Sequence, residues 1–68
     1  MFNKFKLENS NVWVTYWLIP NESGANIVMQ DSSGYSFNNT FKTYELAADA
    51  FIGMLIAAKG LGFVHVSS

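Results

Sequence analysis

The side chain with the most obvious chemical potential is the single histidine, His65, which stands between two valines. An imidazole there could act as a general base or bind a metal. A base, however, needs a nucleophile and an orienting group, and a metal site needs several ligands. The sequence offers no such set, so we interpret His65 as a histidine on the surface or edge of a sheet. We therefore predict no catalytic residue, no metal ligand and no cofactor, and expect that the chain is not an enzyme.

Two carboxylates, Glu45 and Asp49, are four residues apart in a segment that we predict to be helical. At this spacing the two side chains are neighbours on one side of the helix. Paired carboxylates can bind a metal or share a proton, but a solvated helix face is the commoner meaning. We keep one functional alternative, which is an acidic recognition patch for a basic partner.

Two glycine-containing segments resemble phosphate-binding loops only superficially. Asp31-Ser32-Ser33-Gly34 lacks the spacing and the lysine of a phosphate loop, and its residue types are those of a tight turn. Gly60-Leu61-Gly62 follows a predicted helix, whereas the dinucleotide fingerprint follows a strand. Both segments are interpreted as chain reversals and not as ligand sites.

Length and composition limit the architecture to one small domain, residues 1–68. A chain of this length buries only about 60% of its unfolded surface, and it has no cysteine to cross-link it. Half of its residues are hydrophobic, and 13% are charged, against roughly 25% in an ordinary soluble domain. The composition therefore favours a dense core, self-association, or both.

The charge of the chain argues against nucleic acid and membranes as partners. The net charge is −1, with four lysines and no arginine, whereas nucleic-acid binding usually needs a basic face. The longest apolar stretch, Ala47–Ala58, contains Asp49 and is too short to span a membrane. No signal peptide is recognised, so we expect a cytoplasmic location.

Turn signals divide the first two thirds of the chain into four predicted strands: Phe2–Leu7, Val12–Ile19, Asn26–Gln30 and Tyr35–Phe41. A helix follows, with Thr43 as its N-cap and Gly60 as the left-handed residue after its last turn. Its apolar positions recur at helical spacing and are Leu46, Ala47, Ala50, Phe51, Met54, Leu55 and Ala58. A short strand, Phe63–Val66, ends the chain.

The predicted fold class is therefore α+β, with an antiparallel sheet of four to five strands in the order β-β-β-β-α-β and one helix on one face. The second strand is apolar on both sides. Alternation places Val12, Val14, Tyr16 and Leu18 on one face. The other face carries Trp13, Thr15, Trp17 and Ile19. One helix covers only one of these faces, and the sequence does not decide which.

The second half of the chain reads FKTYELAADAFIGMLIAAKGLGFVHV, a helix and a short return strand after an Asn- and Ser-rich sheet half. In size, element order and texture this layout resembles several small phage-encoded host-takeover proteins, including some anti-CRISPR proteins. The resemblance includes no diagnostic motif and transfers no functional residue. It implies an inhibitor that blocks a host protein or complex by occupying its surface in the host cytoplasm.

The functional hypothesis is a protein-binding module that uses Trp13, Thr15, Trp17 and Ile19 as its partner-binding residues. Tryptophan is a typical anchor of protein interfaces, and the partner is either another protein or a second copy in a homodimer. The alternative is a single-stranded nucleic-acid-binding module, because sheet aromatics can stack bases. That alternative needs basic residues between the aromatics, and the chain has few.

Overall fold

The computed structural model describes residues 3–66, which form five strands and one helix in the order β-β-β-β-α-β. This confirms the predicted α+β fold class. The elements are β1 (Asn3–Asn9), β2 (Val12–Asn21), β3 (Gly24–Asp31), β4 (Ser36–Phe41), α1 (Tyr44–Gly60) and β5 (Val64–Val66). Phe2, which was predicted to begin the first strand, lies outside the described residues.

The five strands form one antiparallel sheet in the order β4-β3-β2-β1-β5. Strands β1 to β4 are a simple meander, in which each strand pairs with the next in sequence. The helix connects β4 at one edge with β5 at the opposite edge. Because these two strands lie at opposite edges, α1 has to cross the whole sheet, and it does so on one face.

The turn at Asp31 forms as its residue types predict. The Asp31 carboxylate accepts hydrogen bonds from the backbone N–H groups of Ser33, at 2.9 Å, and Tyr35, at 3.2 Å. Strand β2 runs past its predicted end, since Pro20 pairs with Ala25 of β3. A proline is tolerated there because it lies beyond Leu18, the last β2 residue in the described pairing with β1.

The core lies between α1 and the sheet face that carries Val14 and Leu18. The buried apolar side chains are Leu7, Val14, Leu18, Ala25, Ile27, Ala47, Phe51 and Ala58. Of the apolar helix positions that recur at helical spacing, Ala50, Met54 and Leu55 pack against the core while partly exposed. Leu46, the first of these positions, does not pack on the core and is 55% exposed. The helix faces the sheet through Ala47 and Phe51, and Leu46 is rotated by about 100° from Ala47 towards solvent.

The helix begins as predicted and ends two residues later than predicted. Thr43 is the N-cap, and its hydroxyl accepts a hydrogen bond of 3.1 Å from the Leu46 N–H. Gly62 (φ +94°), and not Gly60, is the left-handed residue at the other end. The Phe63 N–H reaches back to the Ala58 carbonyl at 3.1 Å, which gives the Schellman pattern. The later ending places Phe63 against the core, where it contacts the cluster around Ala58.

Residues 3–66 contain no helix that combines the length and the apolar character needed to cross a membrane.

Candidate functional site: the open face of the sheet

Strand register decides which face of β2 is covered. Leu7 pairs with Val14, Leu18 pairs with Ile27, and all four are buried under α1. The β2 residues that alternate with Val14 and Leu18 must therefore point to the opposite side of the sheet. That side, which we call the open face, includes all four residues predicted to bind a partner: Trp13, Thr15, Trp17 and Ile19. The alternative arrangement, with the helix over the tryptophans, is excluded.

The centre of the open face consists of two tryptophans with a threonine between them. Trp13 and Trp17 are each partly exposed, whereas Thr15 is only 4% exposed. Thr15 pairs with Lys6 on one side and Gln30 on the other, and Trp13 and Trp17 flank it on the same face of β2. Thr15 is thus nearly inaccessible to a partner, and Trp13 and Trp17 supply the accessible area at the centre of the open face.

A lysine side chain from the neighbouring strand β1 lies over the ring of each tryptophan. The Nζ atom of Lys4 lies 5.8 Å from the ring centroid of Trp17, and that of Lys6 lies 5.4 Å from the ring centroid of Trp13. Both distances are in the range of a cation–π interaction. Two of the four lysines of the chain are therefore interleaved with the two tryptophans, so the basic residues lie where the aromatics are.

The number of lysines was evident from the sequence, but their position beside the two tryptophans was not predicted. The signal was present, because Lys4 and Lys6 alternate in the first strand and must share one face of it. What was missing was the pairing of Lys4 with Trp17, which puts that face on the same side of the sheet as the tryptophans.

The charge of the open face is weakly positive around the tryptophans. Lys6 forms an exposed ion pair with Glu8, with Nζ and Oε2 3.9 Å apart. Among the described residues no carboxylate lies within ion-pair distance of Lys4. Two lysines and one glutamate leave a local charge of +1, in contrast to the −1 of the whole chain.

The β4 side of the open face is polar. The Asn26 side-chain amide donates to the side-chain oxygens of Asn38, at 2.8 Å, and Thr40, at 3.2 Å. Next to this polar row lies a shallow groove of about 590 Å³, lined by Trp17, Ile19, Val28, Gln30, Ser36, Phe37 and Asn38. Ile19 is 38% exposed beside it. The open face therefore has an aromatic centre, an apolar groove and a polar rim.

The other candidate residues lie away from the open face. His65 pairs with Leu7, so it lies on the helix side of the sheet, and its ring centroid is 5.2 Å from that of Phe5. Glu45 and Asp49 are exposed on α1, on the opposite side of the molecule from Trp13. Residues 3–66 contain no group of three histidine, cysteine or acidic side chains placed to hold a metal ion.

A second cavity, of about 310 Å³, lies between the sheet and the C-terminal half of α1. Its lining includes the polar side chains of Tyr16 and Asp31 and the apolar side chains of Met29, Met54 and Phe63. Burial, with a smaller effect from the Asp31 charge, raises the pKa of the Tyr16 hydroxyl. The Asp31 carboxylate already caps the turn, and its hydrogen bonds, that from the Ser33 hydroxyl above all, lower its pKa. The cavity thus presents a neutral phenol and an engaged carboxylate, without a nucleophile–base pair.

The fold and the open face define a small α+β protein with one helix-covered sheet face and one exposed aromatic sheet face. Comparisons with protein-family models, with curated proteins and with solved structures find no match to this chain.

Proposed function

We propose that this chain is a non-catalytic protein-binding module that docks its open face onto another protein. The observation that supports this most directly is the position of Trp13 and Trp17, which lie partly exposed on the sheet face that the helix leaves uncovered. An inhibitor that occupies the surface of a host protein, as in the phage proteins whose layout it resembles, is the form of this function that we propose.

The composition of the open face supports a protein partner. Tryptophan is enriched among residues that dominate binding energy, and such residues lie near the centre of an interface, within a ring of weaker contacts. Here the two tryptophans are central, and Asn26, Asn38 and Thr40 form a hydrogen-bonded polar border. An aromatic centre inside a polar rim is the usual anatomy of a protein interface.

The local charge favours a foreign partner over a second copy at this face. Face-to-face pairing of two copies would bring two positively charged surfaces together, which costs free energy. A partner that presents carboxylates around an apolar pocket would match Lys4 and would accept Trp17. The charge therefore argues against a homodimer through this face, which was one of the two alternatives that the sequence left open.

The test compares truncation of the two tryptophans with truncation of an exposed tyrosine outside the centre of the open face. Trp13→Ala/Trp17→Ala removes the centre of the open face, and Tyr35→Ala removes an exposed aromatic ring next to the Asp31 turn. A partner captured from a bacterial lysate is identified, purified and titrated against each variant by calorimetry. We expect at least a hundred-fold loss of affinity for the double variant, corresponding to about 3 kcal/mol, and no change for Tyr35→Ala.

Circular dichroism of the double variant is required alongside the titration. A folded double variant that binds the purified partner as tightly as the original chain contradicts the proposal. An unfolded one shows that the tryptophans maintain the fold, and it contradicts the proposal equally.

The two lysine–tryptophan pairs favour a second candidate, which is binding of single-stranded nucleic acid. Basic residues between stacking aromatics are what such surfaces require. Titration with an oligothymidine should then quench tryptophan fluorescence. Two lysines would contact phosphates in this mode of binding. A plot of the logarithm of the association constant against the logarithm of the salt concentration should therefore have a slope of about −1.4. Absence of quenching at low salt excludes this candidate.

A further inference from the structure

The outward side of α1 exposes large apolar side chains that the sheet does not use. Ile52 is 54% exposed and Ile56 is 66% exposed, although both lie in the middle of a helix that packs on the core through its other side. An amphipathic surface helix normally has polar residues at such positions. Packing within the monomer therefore does not explain why this side of the helix carries large apolar residues.

These isoleucines belong to a regular stripe along the helix. Its five members are all exposed and are Glu45, Asp49, Ile52, Ile56 and Lys59. Their spacings of four, three, four and three residues are those of a coiled-coil seam, which keeps side chains on one side of a helix. We call this set the helix stripe. It is acidic at its N-terminal end, apolar in its centre and basic at its C-terminal end.

We infer that the helix stripe binds the helix stripe of a second copy of this chain, with the two helices antiparallel. Asp49 and Lys59 are equally far in sequence from residue 54, and so are Ile52 and Ile56. A twofold axis at that level places Lys59 opposite Asp49 of the second copy and Ile52 opposite Ile56. The stripe is thus complementary to itself only in the antiparallel arrangement, because parallel helices would bring like charges together.

A glycine beside the stripe gives independent support. Gly53 lies in the middle of α1, where glycine is unfavourable because of its conformational freedom. A Cβ atom built there meets no atom of residues 3–66 within 4 Å, apart from its own helix, so packing in the monomer does not require glycine. Close approach of a second helix is a recognised reason for glycine, and Gly53 is rotated by about 60° from Ile56 of the stripe.

The surface next to the stripe extends the area that a second helix would bury. A groove of about 310 Å³ runs between α1 and the sheet and is lined by Phe5, Leu18, Tyr44, Ala48, Phe51, Ile52 and Leu55. Ile52 thus joins the helix stripe to an apolar groove. A helix of 17 residues is only about 26 Å long, so the contact remains smaller than a standard interface and should be weak.

Sedimentation velocity of the purified chain, from about 10 μM to about 1 mM, tests this dimer. We expect a reversible monomer–dimer equilibrium. Ile52→Glu/Ile56→Glu should weaken it at least tenfold. Leu61→Glu is the matched control, because Leu61 is 73% exposed and is rotated by about 140° from Ile56, and this variant should dimerise normally.

A charge exchange tests the antiparallel arrangement itself. Asp49→Lys and Lys59→Glu each place like charges opposite each other, so each variant alone should dimerise at least tenfold more weakly. In an equimolar mixture of the two variants, the introduced lysine of one chain faces the introduced glutamate of the other. The unchanged Asp49 and Lys59 also face each other, so association should return. Circular dichroism confirms that each exposed-site variant remains folded.

Three results would overturn the inference. The first is a chain that stays monomeric at every concentration. The second is a dimer that forms equally well in the isoleucine and charge variants but is lost in Trp13→Ala/Trp17→Ala. That result would place the contact between copies on the open face. The third is failure of the mixed charge variants to associate. The first and third results leave the binding of a foreign partner by the open face untouched, whereas the second would make the open face a contact between two copies of this chain.

Discussion

The ammonium group of Lys6 lies 5.4 Å from the centre of the Trp13 ring, although the two residues are not direct partners in the sheet. Lys6 pairs with Thr15, and Trp13 pairs with Glu8. The lysine side chain therefore points diagonally from β1 to the neighbouring strand β2, beside the buried Thr15 with which Lys6 pairs. This relationship links the electrostatics of the open face to its packing, because one side chain both lies beside a buried residue and carries charge next to an indole.

Removal of this lysine should therefore loosen the open face. We expect Lys6→Ala to lower the free energy of unfolding by about 0.5–1 kcal/mol and to increase quenching of tryptophan fluorescence by acrylamide. Lys42→Ala is the control, since Lys42 is exposed beyond the end of β4. Equal quenching in the two variants would show that Lys6 does not cover the rings.

The N-cap of α1 should contribute measurably to stability. Thr43→Ala leaves the Leu46 N–H without its side-chain acceptor and should cost about 1 kcal/mol in urea unfolding. Thr43→Ser retains a hydroxyl at the same position and should stay within a few tenths of a kcal/mol of the original chain. If both variants lose the same stability, the capping hydrogen bond is not the cause.

Two glycines should respond to alanine substitution with opposite signs. At Gly24 a Cβ atom would overlap the carbonyl of Phe41 and would lie 2.7 Å from the carbonyl carbon of Lys42, so Gly24→Ala should destabilise the chain by about 1–3 kcal/mol. At Gly53 the space is free, and Gly53→Ala should stabilise the monomer by about 0.5–1 kcal/mol. Thermal unfolding at low protein concentration separates the two effects from any dimer.

Acid should destabilise the chain through Asp31. Its hydrogen bonds in the turn lower its pKa below the ordinary value of 3.8, so the folded state binds fewer protons than the unfolded state in that range. The contribution to stability is therefore present above about pH 4 and is lost as the pH falls through the folded pKa. Asp31→Asn cannot titrate, so the stability difference between the two chains should shrink on acidification. A difference independent of pH between about 2 and about 7 would contradict this assignment.

Much of the fold followed from local patterns. Alternation in Val12–Ile19 predicted the two faces of β2, Asp31 predicted its turn, and Thr43 predicted the start of the helix. These features depend on residues within a few positions of one another, which is why a single sequence reveals them. The end of α1 was misplaced because Gly60 and Gly62 are both suited to a left-handed ending. The choice between them depended on whether Leu61 or Phe63 reaches the core.

The composition of the candidate site was determined by the sequence, and its location by the tertiary structure. The sequence alone separated Trp13 and Trp17 from Tyr16 and Leu18, since side chains alternate along any strand. It did not say which group the helix covers. Crossover connections between parallel strands are almost always right-handed, so the edge of the sheet at which the last strand pairs determines which face the helix covers. That edge is decided by the long-range pairing of β5 with β1, and this pairing left the tryptophans exposed beside Lys4 and Lys6.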